Sequence, residues 1–340
     1  MSAAIDAFQR PLTSLRLSVT DRCNLRCLYC MPEAEYRWLP KSDILDFEEI
    51  VRLTKVFVEL GVRRVRLTGG EPLLRRDLPA LVAQLAAIDG VEDLALTTNG
   101  VLLADQAEAL RAAGLQRITV SLDTLDRDTF MRLTRTDELG RVRSGLEAAA
   151  RVFPGFKIDT VVVRGVNDGE LLALLAEARR LDAELRFIEY MDVGGATAWT
   201  GDQVVSRHEI LATLTSALGP VTPAESSPSA PATRFRLATG QVAGINASTT
   251  TPFCATCDRS RLTADGMWYL CLYATAGLDV RGLLRAGASD DDLGALLRRT
   301  WEQRRERGAE DRLASRNRGA FVPASALKRN PHLEMHTRGG

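Results

Sequence analysis

Between residues 15 and 192 a short apolar strand followed by an amphipathic helix comes round again and again. LRLSVT (15–20) precedes FEEIVRLTKVFVELG (47–61), where Ile50, Leu53, Phe57 and Leu60 recur at helical spacing before a glycine stop. RVRLTGG (64–70) precedes LPALVAQLAAI (78–88), and LALTTNG (94–100) precedes LADQAEALRAAG (103–114). RITVSLD (117–123) leads into helical segments reaching about Phe153, KIDTVVV (157–163) leads into DGELLALLAEARRLD (168–182), and ELRFIEYMD (184–192) closes the series. Six apolar strands alternating with helices require a parallel sheet covered by helices, an α/β fold. Such units curl into an incomplete (β/α)6 TIM-like barrel, related to the eight-unit one; an open doubly wound sheet is the alternative.

After residue 192 the pattern changes. GGATAWTGD (194–202) reads as a loop, a helix runs from about Ser206 to Leu218, and PVTPAESSPSAPAT (220–233) has the composition of an exposed connector. RFRLA (234–238), QVAGINAS (241–248), RSRLTADG (259–266) and MWYLCL (267–272) are short strands, with Asp265-Gly266 as a hairpin turn. Together with helices at about 279–286 and 290–306 they suggest a smaller C-terminal α+β layer that carries cysteines. The chain thus divides into a partial barrel, residues 1–195, and a C-terminal region, residues 196–340. By composition the basic, Gly/Pro-punctuated end reads as a flexible tail.

The chemically suggestive residues of the first region fall at strand ends. Cys23 to Cys30, Gly69-Gly70-Glu71-Pro72, Thr97-Thr98-Asn99, Ser121-Leu122-Asp123 and Tyr190-Met191-Asp192 all follow successive strands. Taken singly, GGEP and TTNG are turns and SLD is a helix cap. Together they share the rim on which barrels and open sheets build ligand sites.

All six cysteines belong to two triples, Cys23, Cys27 and Cys30 near the start and Cys254, Cys257 and Cys271 near the end. Disulfides suit exported chains, and the Met1 end has neither an apolar core nor a basic start. Zinc takes three cysteines and a histidine, yet His208, His332 and His336 lie far from both triples in sequence. Three thiolates and one vacant place suit a four-iron cluster whose fourth iron stays open to an exogenous ligand. Lys+Arg and Asp+Glu both number 44, so nothing points to nucleic acid or an anionic membrane as the main partner. No run of about 18 apolar residues occurs, and a cytoplasmic location is expected.

Cys23-x3-Cys27-x2-Cys30, with Tyr29 before the last cysteine, is similar to the signature of the radical S-adenosylmethionine enzymes, and Gly69-Gly70-Glu71-Pro72 resembles their methionine-amine motif. Cys254-x2-Cys257-x13-Cys271, the Arg259-Ser260-Arg261 that follows Cys257 and the Gly339-Gly340 end resemble one family within that group, the GTP 3',8-cyclases of molybdenum cofactor biosynthesis. The likeness runs from Arg16 to Gly340.

This resemblance implies two [4Fe-4S] clusters, Cys23, Cys27 and Cys30 holding the first and Cys254, Cys257 and Cys271 the second, with S-adenosylmethionine chelated at the open iron of the first. It implies S-adenosylmethionine contacts at Tyr29, Gly70, Ser121 and Met191, and GTP contacts at Arg16, Arg66, Thr97, Lys157, Arg259, Ser260 and Arg261. Arg259 and Arg261 are also the residues closest to a catalytic role beside the clusters. The implied partners are an external one-electron reductant of flavodoxin or ferredoxin type and MoaC, which acts on the product; a homodimer is compatible with it. Arg16 and Arg66 also stand out without the resemblance, because each falls in an inner strand where an unpaired charge is costly. Lysine occurs only four times in the chain, and one of the four, Lys157, heads the fifth strand. Arg338 stands where the family usually has an aliphatic residue before the double glycine. Two other readings remain open: a peptide-modifying radical enzyme, which usually carries more C-terminal cysteines, and a non-catalytic zinc- or cluster-binding protein.

Overall fold

A computed structural model describes residues 3–339. Strands β1 (Ser14–Ser18), β2 (Arg64–Thr68), β3 (Asp93–Thr98), β4 (Arg117–Ser121), β5 (Lys157–Val162) and β6 (Glu184–Glu189) lie side by side in chain order, every pair parallel. Helices α1 (Phe47–Glu59), α2 (Leu78–Ala86), α3 (Ala107–Ala112), α4 (Arg127–Thr134), α5 (Leu139–Val152) and α6 (Leu171–Arg180) connect them. Their apolar stripes pack on Leu15, Leu17, Val65, Leu67, Ile118, Val120, Ile158, Leu185 and Phe187 in one core. Local chemistry sets the helix starts: Asp46 and Glu49 form a reciprocal capping box on α1, and Asp126 accepts from the Thr129 amide to start α4. The sheet does not close on itself, which is the incomplete barrel expected from six units.

The later strands complete both edges of this sheet. They are β7 (Thr222–Pro223), β8 (Thr233–Arg236), β9 (Val242–Asn246), β10 (Arg259–Leu262), β11 (Met267–Tyr269) and β12 (Leu278–Asp279). β9 pairs parallel to β6 and β10 pairs parallel to β1, so the C-terminal strands continue the barrel wall on either side. Unpaired edges at β1 and β6 would each leave a row of backbone donors and acceptors without partners. The hairpin expected at Asp265-Gly266 joins β10 to β11, with Gly266 at φ 81°. The Pro/Ser-rich connector contributes β7, and Ser229 accepts from Arg64 at 3.3 Å.

Parallel strands covered on both faces usually read as continuous apolar runs, but these alternate. Their apolar residues face the helices, while Arg16, Arg66, Lys157, Asp159, Arg259 and Arg261 fall on the inner face. Register places Arg261, Arg16 and Arg66 side by side on β10, β1 and β2. The interior therefore carries a layer of charged side chains.

The end of the chain corrects the compositional reading. After α7 (Arg207–Leu218), α8 (Val280–Arg285) and α9 (Asp290–Glu302), residues 303–339 wind through α10 (Gly308–Leu313), α11 (Ala324–Arg329) and α12 (Met335–Arg338). This segment is folded down by polar partners that composition does not reveal. Asp192 accepts from Arg312 at 2.8 Å and from Arg318 at 2.9 Å. His332 Nε2 meets Asp265 at 2.6 Å, and Arg338 donates to Leu272 O at 2.7 Å. His336, Thr337 and Arg338 are buried at 2, 1 and 2% exposure, so the flexible-tail expectation fails for 307–339. Gly340 lies outside the described residues.

Candidate functional site

One cavity inside the barrel is lined by all six cysteines together with Arg16, Tyr29, Gly70, Thr97, Ser121, Asp159, Met191, Arg259 and Arg261. The two triples, far apart in sequence, thus share one chamber. None of the six thiols is in a disulfide. Among the described residues no three His, Cys, Asp or Glu side chains converge closely enough to hold a single metal ion. Gly308 adds to the cradle, since a Cβ there would come within 3.1 Å of the Cys271 sulfur. The donor set fits two clusters of three thiolates each.

The loop of the first triple leaves the end of β1 and is braced from below. Gly70 N–H donates to Thr20 O at 2.9 Å and Glu71 N–H to Arg22 O at 2.7 Å. A Cβ on Gly69 would meet Thr20 O at 2.3 Å, and one on Gly70 would meet Arg22 O at the same distance, so only glycine lets the two backbones approach. Glu71, buried, accepts from Thr98 Oγ1 at 2.7 Å, Asn99 N–H at 2.8 Å and Leu73 N–H at 3.0 Å, tying this brace to the end of β3. Burial pushes its carboxyl up to about 7 against those hydrogen bonds. Tyr29 donates to Asp123 at 2.6 Å, and Asp123 also accepts from Val161 N–H at 2.8 Å. The SLD motif is thereby a clamp on the cysteine loop; the helix cap falls to Asp126. Burial, reinforced by the Glu71 charge, drives the Cys23 thiol up to about 11, and burial also raises Cys27 and Cys30.

The second triple lies in the crossing from β9 to β10 and at the end of β11. Arg10 donates to Cys254 O at 2.8 Å, and Arg304 donates to Cys257 O at 2.8 Å and to its sulfur at 3.6 Å. Asp6 bridges the two guanidiniums, at 2.6 Å from Arg10 and 3.3 Å from Arg304. Burial opposes the Cys257 thiolate, but Arg259 and Arg304 outweigh it and bring the thiol down to about 7. Asp6, Arg10 and Arg304 escaped the sequence reading because no spacing links them to the cysteines; Asp6 stands alone among apolar neighbours, but Arg304 sits in the charged run 302–307, where nothing singles it out.

Between the two triples lies the arginine floor, since Cys254, Cys257 and Cys271 flank the start of β10 while Cys23 to Cys30 follow the end of β1. Burial, then repulsion from Arg261, Arg259 and Arg66, lowers Arg16 well below the usual arginine range. Burial and Arg117 lower Arg66 to about 10, and burial and Arg259 lower Arg261 to about 9. Burial, aided by Arg186, brings Lys157 to about 8. Arg66 donates to Thr97 at 3.1 Å and Thr119 at 3.3 Å, while Arg261 donates to Gly339 O at 2.7 Å, so the tail reaches the floor. Arg259 stacks on Phe253 with 4.6 Å to the ring centroid. Ser260 alternates to the opposite face, fully buried with its hydroxyl unbonded, away from the chamber. Several like charges held this close in low dielectric make a site for a polyanion.

A partial barrel presenting Cys-x3-Cys-x2-Cys at its mouth defines a radical S-adenosylmethionine protein, a class that works with S-adenosylmethionine and an iron–sulfur cluster. Residues 17–178 match the Radical SAM superfamily and residues 183–310 match Molybdenum Cofactor Synthesis C. The chain is 54% identical to GTP 3',8-cyclase 3 of Mycobacterium bovis over 340 residues, 98% of this chain and 90% of that protein. It is 48% identical to the GTP 3',8-cyclase of Acidothermus cellulolyticus over 319 residues, 90% of this chain and 87% of that one. Among solved structures, Streptococcus suis SuiB bound to S-adenosylmethionine shares the fold at a TM-score of 0.59 and 15% identity, covering 84% of this chain and 68% of that chain. The chain belongs to the GTP 3',8-cyclase family.

Proposed function

We propose that the chamber binds S-adenosylmethionine and GTP together and acts as a lyase making 3',8-cyclo-7,8-dihydro-GTP, the first step of molybdenum cofactor biosynthesis. The observation that carries this reading is the row of buried, mutually repelling arginines, Arg261, Arg16 and Arg66, lying between two open thiol triples. Cys23, Cys27 and Cys30 would hold one [4Fe-4S] cluster and Cys254, Cys257 and Cys271 the other. Reductive cleavage of S-adenosylmethionine at the first cluster supplies the 5'-deoxyadenosyl radical, which takes the ribose H3' of GTP before the C3'–C8 bond forms.

The chain's own part is orientation. Gly70, Ser121 and Met191 offer S-adenosylmethionine a backbone-rich, partly apolar wall, and Tyr29, its hydroxyl spent on Asp123, contributes its ring and fixes the loop. Arg16, Arg259 and Arg261 face the triphosphate, with Arg66, Thr97 and Lys157 supporting from the wall, because guanidinium forks suit phosphate oxygens. Any contribution from Ser260 is through its backbone. An external one-electron reductant of flavodoxin or ferredoxin type and MoaC, consuming the product, complete the reading, as do a cytoplasmic setting and a homodimeric option. Among the described residues no helix is long and apolar enough to cross a membrane.

Anaerobic reconstitution with iron and sulfide, then addition of dithionite, S-adenosylmethionine and GTP, tests it. The expected outcome is a cyclised dihydro-GTP by mass together with 5'-deoxyadenosine. Turnover of S-adenosylmethionine only with a different substrate overturns it.

A further inference from the structure

Of the acidic side chains lining the chamber, Glu71, Asp123 and Glu189 accept hydrogen bonds on both oxygens, and Asp159 does not. Asp159 lies on the inner face of β5, two residues beyond Lys157, and lines the cavity. Its Oδ1 is shielded from water and has no hydrogen-bond partner among the described residues. Leaving a carboxylate oxygen unbonded at such a position is costly, and it is retained where a ligand supplies the missing donor. Arg16 and Arg66 both feel its charge, so it faces the same space as they do.

Register fixes its height in the chamber. Asp159 stands beside Ser121 of β4, on the level assigned above to S-adenosylmethionine. Lys157, one step lower, stands beside Thr119, which shares Arg66 with Thr97 on the level assigned to GTP. Asp159 therefore sits at the seam between the two ligands. A phosphate cannot be its partner, because two anions repel in low dielectric. The guanine edge belongs on the opposite assignment, at the second triple. Of the nucleotide's groups, what remains at the seam is the sugar, whose hydroxyls are neutral donors a carboxylate accepts from; a loss of S-adenosylmethionine binding on replacing Asp159 would assign the residue to that ligand instead.

We propose that Asp159 accepts a hydrogen bond from the ribose 3'-hydroxyl of the bound nucleotide and so selects its sugar and assists removal of the adjacent hydrogen; this rests on the GTP reading above. In the step itself the C3'–H bond breaks homolytically, the hydrogen atom passes to the 5'-carbon radical to give 5'-deoxyadenosine, and one unpaired electron stays on C3'. The hydroxyl proton remains shared between O3' and Asp159, so the residue is neither oxidised nor reduced. Drawing that proton toward the carboxylate enriches the oxygen next to the new radical and stabilises it, an interaction stronger in the transition state than before it.

The test compares GTP with 3'-deoxy-GTP on the reconstituted full chain, in the wild type and in Asp159→Ala and Asp159→Asn. Equilibrium binding of both nucleotides, binding of S-adenosylmethionine and the rate of 5'-deoxyadenosine formation are read separately. The wild type is expected to prefer GTP by about tenfold to a hundredfold, the worth of a hydrogen bond to a charged group. Asp159→Ala is expected to bind the two nucleotides equally, with S-adenosylmethionine binding unchanged. Asp159→Asn, which keeps the volume and one acceptor, is expected to retain part of the preference and to lose more in kcat than in KM. A wild-type preference that survives intact in both variants overturns the role of Asp159 while leaving the GTP reading standing. A wild type that binds neither nucleotide overturns both.

Discussion

The two cysteine triples have the same ligand count and opposite surroundings. Around Cys23, Cys27 and Cys30 are Glu71, Asp123 and the backbone of the GGEP brace, and the thiols are pushed up by burial and by the neighbouring acids. Around Cys254 and Cys257 stand Arg10, Arg259 and Arg304, and Cys257 is pulled down. What a cluster holds at its open position is decided by this second layer of charge as much as by the thiols. An acid-lined site accommodates a sulfonium cation, and an arginine-lined one accommodates a nucleoside triphosphate. On the reading proposed above, two like thiol sets would be addressed to two substrates by the residues behind them.

The largest effect that separates the two is loss of a thiol. Cys27→Ala should abolish 5'-deoxyadenosine formation, and Cys257→Ala should abolish the cyclised product while leaving some uncoupled cleavage of S-adenosylmethionine. Iron analysis should fall from about eight to about four per chain in either variant if each triple carries a four-iron cluster. Equal loss of cleavage in both would mean that the triples are not functionally distinct.

Next in size is the support of the second triple. Arg304→Met leaves Asp6 with one guanidinium instead of two and strips the Cys257 carbonyl of its donor. Breaking such a buried network costs about 3–5 kcal/mol, measurable by denaturant unfolding of the apo chain. Arg261→Met should weaken GTP binding by about tenfold to a hundredfold and leave S-adenosylmethionine binding alone. Raising the salt should likewise loosen GTP more than S-adenosylmethionine, because a triphosphate brings several charges to the site and the sulfonium only one.

The smallest effect is a pH dependence on the arginine side. Lys157 is lowered to about 8, so its cation is present below that pH and lost as pH rises through it. GTP affinity should therefore decline above about pH 8 in titration calorimetry, by less than tenfold, and Lys157→Met should flatten the decline. S-adenosylmethionine affinity over the same window should not follow it.

The sequence made the barrel units readable because a helix periodicity of 3.6 and apolar strands leave separate marks, and their order fixed the parallel pairing of β1 to β6. The strand-end motifs were readable too, since GGEP and TTNG follow directly on strands. What stayed hidden depends on contacts between distant residues. No local pattern says that β10 lies against β1, that Asp192 will seize Arg312 and Arg318, or that Arg10 and Arg304 share Asp6. Composition was misleading for residues 307–339 because it counts charges without knowing which are already paired. The inner-face alternation in KIDTVVV, with Lys157 and Asp159 two apart, was visible as a pattern, but only register shows that Asp159 meets Ser121.

The pairing of β1 with β10 also bears on how the chain is made. Leu15 lies opposite Ser260, 245 residues later. At about 5–20 residues per second a ribosome needs roughly ten to fifty seconds to supply that partner. For that interval the first strand has one neighbour at most, and the loop bearing the first three thiols exists beside an unfinished wall. The first three thiols of the newborn chain thus stand beside open solvent until the last part of the wall is made.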